Sequence, residues 1–240
     1  MTDEQEGGLA AVFAHPDDES FGCAGAMALV RDADRPVRLL VATRGEAGTP
    51  DGIPDEEIVL TREEELRGAA RAIGLDEVTM LEGYADGGVA DRPFAQLVQE
   101  ISVWLAARRP QAVVTFGSHG VTGHADHIVV GNATRWAVEQ LAESGIAPNA
   151  VYVIAPVFGP GRNRFDLSPE EGAATHRIDV TTVAERKLAA LRAHASQADT
   201  REAIAELEAA IADGRPIYEG YTRVRPIVSA PHPKFDTRLL

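Results

Sequence analysis

Short apolar runs alternate with helix-like stretches along most of the chain, and this alternation constrains the fold more than any other feature of the sequence. A short apolar run bounded by turn residues indicates a buried strand, and strands that alternate with helices are typical of βαβ units. The sequence therefore predicts a single α/β domain over residues 1–240, with a mainly parallel sheet flanked by helices on both faces. The apolar runs are 9–13, 37–42, 78–81, 112–116 and 151–155, and the helix-like stretches are 20–31, 55–73, 93–108 and 128–144.

The C-terminal third has a different pattern. Residues 175–180 are predicted to form another strand, and 183–212 an alanine-rich helical region whose charged residues, including Lys187, face solvent. Before them, residues 156–172 are punctuated by Gly and Pro and are predicted to form a loop. Its length suits a substrate lid or specificity loop, with a surface excursion as the alternative.

A second predicted loop covers residues 45–54, and the segments 1–7 and 226–240 are expected to be tails. The last stretch holds three prolines and shows no clear period. The sequence leaves open whether it packs on this domain or on another subunit.

Composition and charge exclude several classes of partner. The formal net charge of −14 argues against binding to nucleic acid or to an anionic membrane surface, which requires clustered Lys and Arg. No apolar stretch approaches the roughly 20 residues that a membrane-spanning helix needs. The acidic N-terminus lacks the basic and apolar regions of a signal peptide, and the single cysteine, Cys23, cannot form an internal disulfide. We therefore expect a cytoplasmic protein without membrane insertion, with a homo-oligomer possible.

Two clusters of polar residues follow predicted strands. The sequence Ala-His-Pro-Asp-Asp-Glu, residues 14–19, comes directly after the first apolar run, and Gly-His-Ala-Asp-His, residues 123–127, follows the fourth. Ligands of open α/β sheets bind where strands end and helices begin. His15, Asp18 and His127 supply two imidazole nitrogens and one carboxylate, the three protein ligands that a catalytic zinc needs. Ferrous iron accepts the same set.

The neighbouring residues suggest catalytic roles. If Asp18 binds the metal, the adjacent Asp17 can act as the general base toward a water molecule. His124, three residues before His127, can polarise a scissile carbonyl, stabilise an oxyanion or protonate a leaving nitrogen. Asp126 can orient an imidazole through a hydrogen bond.

Simpler interpretations exist for these residues. Acidic residues at a helix N-terminus are common as caps and dipole partners. A nucleotide-binding module is a different class of function, but it needs a glycine-rich turn after the first strand, where this chain has Asp17, Asp18 and Glu19. A binding protein derived from an enzyme is a third possibility, against which the presence of both Asp17 and His124 argues.

The remaining histidines and the cysteine have contexts that favour structural roles. His119, His176 and His232 are expected to lie at the surface, and His194 is interpreted as structural rather than catalytic. Cys23 lies in an alanine-rich helical stretch, which is typical of a buried small apolar residue.

Residues 14–19 and 115–127 resemble the PIG-L/LmbE-like family of metal-dependent N-deacetylases. Weaker similarities extend this resemblance over nearly the whole domain, including Gly-Glu at 45–46, the Arg-x-x-Glu helix at 62–65 and His-x-Ser-Gln at 194–197. The main departure is Ala125, where the family usually has proline. The resemblance implies a Rossmann-like fold and removal of an acyl group, usually acetyl, from an N-acetylglucosaminyl-type amino sugar. An amino-sugar thiol conjugate or an acylated secondary metabolite is the alternative substrate.

The same resemblance implies roles for individual residues. It supports His15, Asp18 and His127 as zinc ligands, with Asp17 as base and His124 as the electrophilic or acid partner. It also places Arg62, Asp86 and Glu46 at the substrate. On residue chemistry alone, Arg62 suits a helix-face ion pair, Asp86 an Asx turn and Glu46 a loop cap.

Overall fold

A seven-stranded sheet forms the centre of the described structure. The computed structural model describes residues 7–48, 55–157, 165–226 and 238–240. Strands β1 to β5 pair in parallel, and β7 is antiparallel to both of its neighbours. The strands are β1 Leu9–Phe13, β2 Val37–Val41, β3 Glu77–Met80, β4 Ala112–Thr115, β5 Ala150–Ile154, β6 His176–Asp179 and β7 Tyr218–Arg225, in the spatial order β3-β2-β1-β4-β5-β7-β6. The predicted mainly parallel α/β fold is therefore confirmed.

Helices pack in two groups, as the strand order requires. The chain moves from β1 to β2 in one direction and from β4 to β5 in the other, so right-handed crossovers place the connecting helices on opposite faces. The helices are α1 Asp18–Gly22, α2 Ala24–Asp32, α3 Asp55–Ile73, α4 Phe94–Arg108, α5 Ala125–Glu143, α6 Pro169–Gly172, α7 Ala184–Ala193 and α8 Thr200–Ala212. Helices α4 and α5 pack against each other, and α3 packs against α7.

Three predicted elements differ from the observed ones. The helix predicted over 20–31 is two helices, α1 and α2, which are separated at Cys23, where φ is −147° and ψ is −3° and the backbone is not helical. The helical region predicted over 183–212 is divided into α7 and α8. Strand β7 was not predicted, and α6 lies inside the predicted loop 156–172.

Lys187 contradicts the prediction that it faces solvent. Its Nζ donates to Glu219 Oε1 at 2.6 Å and to the carbonyl oxygens of Ser20 and Phe21, near the end of α1. Tyr221 donates to the other oxygen of Glu219 at 2.8 Å. We call these three side chains, Lys187, Glu219 and Tyr221, the Lys187–Glu219 cluster. Helical periodicity failed here because α7 packs between α2 and α3 rather than at the surface.

His176 is also buried, contrary to prediction, with its ring centroid 4.8 Å from that of Tyr152. Cys23 and His194 are fully buried, and the half-exposed His119 bonds the Asp166 carbonyl oxygen. His232 lies outside the described residues.

The predicted tails are described only in part. Residues 1–6 and 227–237 lie outside the described ranges. At the C-terminal end, Leu239 is buried and belongs to the main hydrophobic core, so the last residues pack on this domain. Among the described residues, none of the helices combines the length and apolar character needed to cross a membrane.

Candidate metal centre and active site

The two polar clusters meet where the strand order reverses. Strand β1 pairs with β2 on one side and with β4 on the other, and the connections from these strands run in opposite directions. Such a reversal opens a crevice at the carboxyl ends of the strands, which is where ligands of open α/β sheets bind. His15 follows β1, and the loop 116–124 leads from β4 into α5.

The three predicted metal ligands lie side by side in this crevice. His15 Nδ1 is 3.2 Å from His127 Nε2, although the two residues are 112 positions apart in sequence. Asp18 Oδ1 is also 3.2 Å from His127 Nε2, and Asp18 Oδ2 is 3.7 Å from His15 Nδ1. Ligands bound at about 2.0–2.1 Å around a tetrahedral zinc ion lie about 3.3 Å apart. The observed separations therefore suit a single ion shared by these groups.

Hydrogen bonds on the far side of each ring determine which nitrogen carries the proton. His127 Nδ1 lies 3.0 Å from the Gly120 carbonyl oxygen, which can only accept, so Nδ1 donates and Nε2 keeps its lone pair. His15 Nε2 lies 3.0 Å from Asp86 Oδ1 and 3.2 Å from Asp126 Oδ2 and donates to them. In the neutral rings, two nitrogen lone pairs therefore face each other beside the carboxylate of Asp18.

The carboxylates of Asp18, Asp86 and Asp126 favour a positive charge on or beside the His15 ring. Burial lowers the pKa of His15, but hydrogen bonds to Asp126 and Asp86 and the charge of Asp18 outweigh it and raise that pKa to about 10. Burial raises the pKa of Asp18, yet the charges of His127 and His15 lower it to about 2. Since a metal ligand must lose its competing proton, a cation at this position would take the place of the extra proton on His15.

Other donor atoms extend the group. Ring nitrogens of His15, His124 and His127 lie within 4.8 Å of one another, and His15, Asp86 and Asp126 form a second such set. The described residues thus contain a His/Asp group that can hold a metal ion. Its chemistry fits zinc and ferrous iron equally.

Asp17 occupies a strained position beside the three ligands. Its φ of 108° lies in a region that residues other than glycine rarely adopt, and such strain is concentrated at functional sites. Although it stands at the N-cap of α1, its side chain caps no backbone amide, so the simple capping interpretation fails for Asp17. Burial and the charge of Asp18 raise the pKa of Asp17 to about 7, against the opposing effect of Arg62.

The Arg62 side chain contacts Asp17 and is only 2% exposed. Its Nη2 donates to Asp17 Oδ2 at 3.1 Å and to the carbonyl oxygen of Pro16. The other guanidinium nitrogens, Nε and Nη1, have no hydrogen-bond partner among the described residues. The observed contacts of Arg62 are thus with the motif itself.

His124 is the exposed member of the histidine group. Its ring centroid is 4.7 Å from that of His15, with the rings edge to face, and 5.0 Å from that of His127. Nδ1 accepts from the Asp126 backbone N–H at 3.2 Å, which leaves the proton of the neutral ring on Nε2. Burial and the charges of His15 and His127 lower the pKa of His124, which favours the neutral form of its ring.

Asp126 is completely buried, and its Oδ2 lies 3.2 Å from His15 Nε2. Besides contacting His15, it accepts from the backbone N–H groups of Gly87 at 2.7 Å and Val89 at 3.1 Å. The loop that carries Asp86 is therefore attached to the start of α5 through one carboxylate.

The side chains of Glu46 and Asp86 each accept a hydrogen bond from the backbone of the other's loop. The Asp86 backbone N–H donates to Glu46 Oε1 at 2.9 Å, and the Ala47 backbone N–H donates to Asp86 Oδ2 at 3.1 Å. Asp86 Oδ1 contacts His15, and Glu46 Oε2 is buried with no partner among the described residues.

Several contacts that hold His127 in place were not predicted from the sequence. The Phe116 ring stacks on that of His127, with centroids 4.1 Å apart and planes 4° apart. A Cβ atom at Gly120, whose φ is 63°, would come within 2.7 Å of His127 Cβ. An aromatic residue at the end of a strand gives no sequence signal of such a role.

Comparisons with known proteins agree with this architecture. The family model described as PIG-L, GlcNAc-PI de-N-acetylase, matches residues 10–138. A protein of Bacillus subtilis named "Probable N-acetyl-alpha-D-glucosaminyl L-malate deacetylase 2" is 33% identical over 214 residues, which cover 86% of this chain and 89% of that protein. A 1D-myo-inositol 2-acetamido-2-deoxy-alpha-D-glucopyranoside deacetylase of Mycobacteroides abscessus is 31% identical over 229 residues, covering 79% of this chain and 81% of its own.

A solved structure shares the fold over almost its whole length. The conserved protein TT1542 from Thermus thermophilus superposes with a TM-score of 0.69 at 24% identity, covering 94% of this chain and 98% of that one. The family match spans more than half of this chain, and both relatives are named deacetylases. This chain therefore belongs to the PIG-L family and is a deacetylase.

Proposed function

We propose that this chain is a metal-dependent hydrolase that removes the N-acetyl group from an N-acetylglucosaminyl-type substrate, with His15, Asp18 and His127 as the metal ligands. The observation that carries the proposal is that His15 Nδ1 and His127 Nε2 lie 3.2 Å apart beside the Asp18 carboxylate. Zinc is the proposed ion, with ferrous iron as the alternative. When bound, either ion would lower the pKa of a water molecule and polarise the amide carbonyl.

The proposed base is Asp17. It accepts a proton from the water whose oxygen attacks the carbonyl carbon, a role that suits a carboxylate with 13% of its side chain exposed at the crevice. Arg62 holds its Oδ2, so the carboxylate has a fixed orientation before substrate binds. When the C–N bond breaks, the amine nitrogen takes up the proton, and acetate and a free amine are released.

His124 is proposed to stabilise the charge that develops on the carbonyl oxygen. Its Nδ1 is occupied by a backbone amide, so Nε2–H is the donor that remains for substrate. Asp126 and Asp86 hold His15 and contribute to catalysis through that ring.

The substrate contacts proposed for Glu46, Asp86 and Arg62 differ in support. Glu46 Oε2 is a buried acceptor with no partner among the described residues and suits a sugar hydroxyl. Both oxygens of Asp86 are used within the chain, and Arg62 Nη2 faces Asp17 and Pro16. Contact of Asp86 and Arg62 with the sugar stays a prediction, which KM values of Asp86→Asn and Arg62→Lys would test.

The relatives suggest the form of the substrate. Their names describe N-acetylglucosaminyl groups linked to malate and to inositol, so the shared unit is the N-acetylated amino sugar. We propose that this unit occupies the crevice and that the loops at 45–60, 84–92 and 156–172 determine which aglycone binds. Residues 49–54 and 158–164 of these loops lie outside the described residues. An amino-sugar thiol conjugate or an acylated secondary metabolite is the alternative. A cytoplasmic location and self-association stay proposals, and sedimentation would test the second.

The decisive experiment measures bound metal and acetate release on the same preparation. Apo protein reloaded with zinc or with ferrous iron is assayed on N-acetylglucosamine and on its malate and inositol conjugates. We expect one tight ion per chain and acetate released in equal amount to free amine. Asp17→Asn should keep the ion and lose about 10²- to 10⁴-fold in kcat. Wild-type turnover by Asp17→Asn would show that the base is another group, and absence of acetate from every conjugate would contradict the proposed substrate class.

A further inference from the structure

Glu19 and His194 form an ion pair with both side chains fully buried and 175 positions apart in sequence. His194 Nε2 lies 2.7 Å from Glu19 Oε1, and each side chain is 0% exposed. The Ser20 hydroxyl donates to the same oxygen at 2.6 Å. Since both side chains are fully buried, neither can reach a substrate. A buried charged pair is costly unless its geometry is close and further hydrogen bonds satisfy it.

The second oxygen of Glu19 is directed at Asp17. The Asp17 backbone N–H donates to Glu19 Oε2 at 3.0 Å. This is the residue whose φ of 108° is unfavourable for any side chain with a Cβ atom. Arg62 holds the same residue from the other side, through Asp17 Oδ2 and the Pro16 carbonyl oxygen.

We infer that Glu19 and His194 are a positioning pair that holds the backbone of Asp17 in its strained conformation, so that the Asp17 carboxylate faces the reacting water. The inference rests on the proposed role of Asp17 as base. His194 ends helix α7, so the C-terminal third of the chain fixes the geometry of the N-terminal motif. Ser20 and His194 fill Glu19 Oε1, which leaves Oε2 for the single Asp17 amide.

The test compares Glu19→Gln and His194→Leu with the wild-type enzyme, all loaded with metal. Each variant should lose about 10- to 100-fold in kcat, the range observed when a group that supports the reacting residues is removed. KM and bound metal should change by less than about twofold, because neither residue touches a ligand atom or substrate. His194→Gln keeps an N–H donor toward Glu19 and should recover most of the lost kcat.

A double-mutant cycle isolates the path through Asp17. In the Asp17→Asn background, Glu19→Gln should cost almost nothing further, since the base on which it acts is already absent. The matched control is Glu219→Gln, another buried carboxylate, which accepts from Gly25, Ala26, Lys187 and Tyr221 without touching Asp17. It should lower the melting temperature and leave kcat unchanged.

Each contrary outcome overturns the inference. Additive losses in the double variant, loss of metal from Glu19→Gln, or an equal loss of kcat in Glu219→Gln would show that the pair does not act through Asp17. Wild-type turnover by Glu19→Gln alongside an impaired Asp17→Asn would overturn the positioning role alone. Wild-type turnover by Asp17→Asn would overturn the proposed base as well.

Discussion

The candidate metal centre and the Lys187–Glu219 cluster are both buried and charged, but only in the Lys187–Glu219 cluster are donors and acceptors matched. Glu219 accepts four hydrogen bonds, from Lys187, Tyr221 and the backbone N–H groups of Gly25 and Ala26, at 2.6–2.9 Å. Lys187 in turn gives its other protons to carbonyl oxygens near the end of α1. Each donor there faces an acceptor, and the positive charge faces the negative one.

The metal centre lacks this complementarity. Around His15, three carboxylates converge, those of Asp18, Asp86 and Asp126, and a second imidazole presents a nitrogen at 3.2 Å. A folded chain tolerates such a cluster only when another charge completes it. Residue types alone do not separate the two clusters. What separates them is whether the acceptors exceed the donors, and the excess of acceptors around His15 supports the proposed cation there.

The largest effect is expected from removing a proposed metal ligand, because this disrupts the cluster around His15 directly. His127→Ala removes the nitrogen that lies 3.2 Å from both His15 and Asp18, so the variant should lose tight metal binding and hydrolyse at background rate. The loss should exceed the roughly 10- to 100-fold seen when only a group bonded to a ligand is removed. Metal analysis after dialysis measures it. His119→Ala is the control, since within the described part of the chain the contacts of this half-exposed ring are with Asp166. One tight ion retained by His127→Ala would refute its role as ligand.

Breaking the complete cluster should affect stability instead of activity. Lys187→Met leaves the Glu219 carboxylate buried without its cation, and the free energy of unfolding should fall by about 3 to 5 kcal/mol. Urea unfolding of the metal-loaded protein measures the loss. The double variant Lys187→Met/Glu219→Gln should be less destabilised than the two single losses added together, because no unpaired charge remains. Additive losses would show that the two charges do not depend on each other.

Much of the fold and of the site could be predicted from local pattern. Apolar runs predicted strands β1 to β5 within a residue or two. Strands β1, β2, β4 and β5 are buried along their whole length, and such strands are mostly apolar. The motif around His15 predicted a set of metal ligands at a strand end. His15, Asp18 and His127 are adjacent in space since β1 and β4 are neighbours in the sheet.

The features that failed depend on contacts between distant segments. Strand β7 was missed because its sequence, Tyr-Glu-Gly-Tyr-Thr-Arg-Val-Arg, carries charges that only pairing and packing can satisfy. Lys187 was misjudged since its partner is 32 positions away, on that same strand. For the same reason, no local pattern shows that Asp86 contacts His15 or that His194 pairs with Glu19.

A change next to a ligand should have an intermediate effect. Asp86→Asn removes a negative charge 3.0 Å from His15 Nε2 and weakens the orientation of that ring, so metal affinity should fall about 10- to 100-fold. Competition with a chelator measures the change. Glu82→Gln is the matched control, because Glu82 is 82% exposed and its carboxylate bonds to Arg44 instead. Equal affinities for Asp86→Asn and Glu82→Gln would show that the carboxylate beside His15 does not support the ligand.

A partly exposed ion pair, Arg108–Glu77, provides a reference for the two buried clusters. Its contribution to the free energy of unfolding should be the smallest of these effects. Hydrogen bonds from Arg108 lower the pKa of Glu77, whose side chain is 34% exposed. Because the folded pKa of Glu77 lies below its unfolded value, the pair stabilises the fold at pH values above the unfolded pKa. The stabilisation is lost as the pH falls through the folded pKa.

Relative to Glu77→Gln, the wild type should be more stable by about 0.2 to 1 kcal/mol at pH 7 and low salt. The difference should shrink in 1 M salt and approach zero near pH 3 in paired urea titrations. A difference that stayed constant over this pH range would show that packing of the Glu77 stem, and not its charge, accounts for the stabilisation.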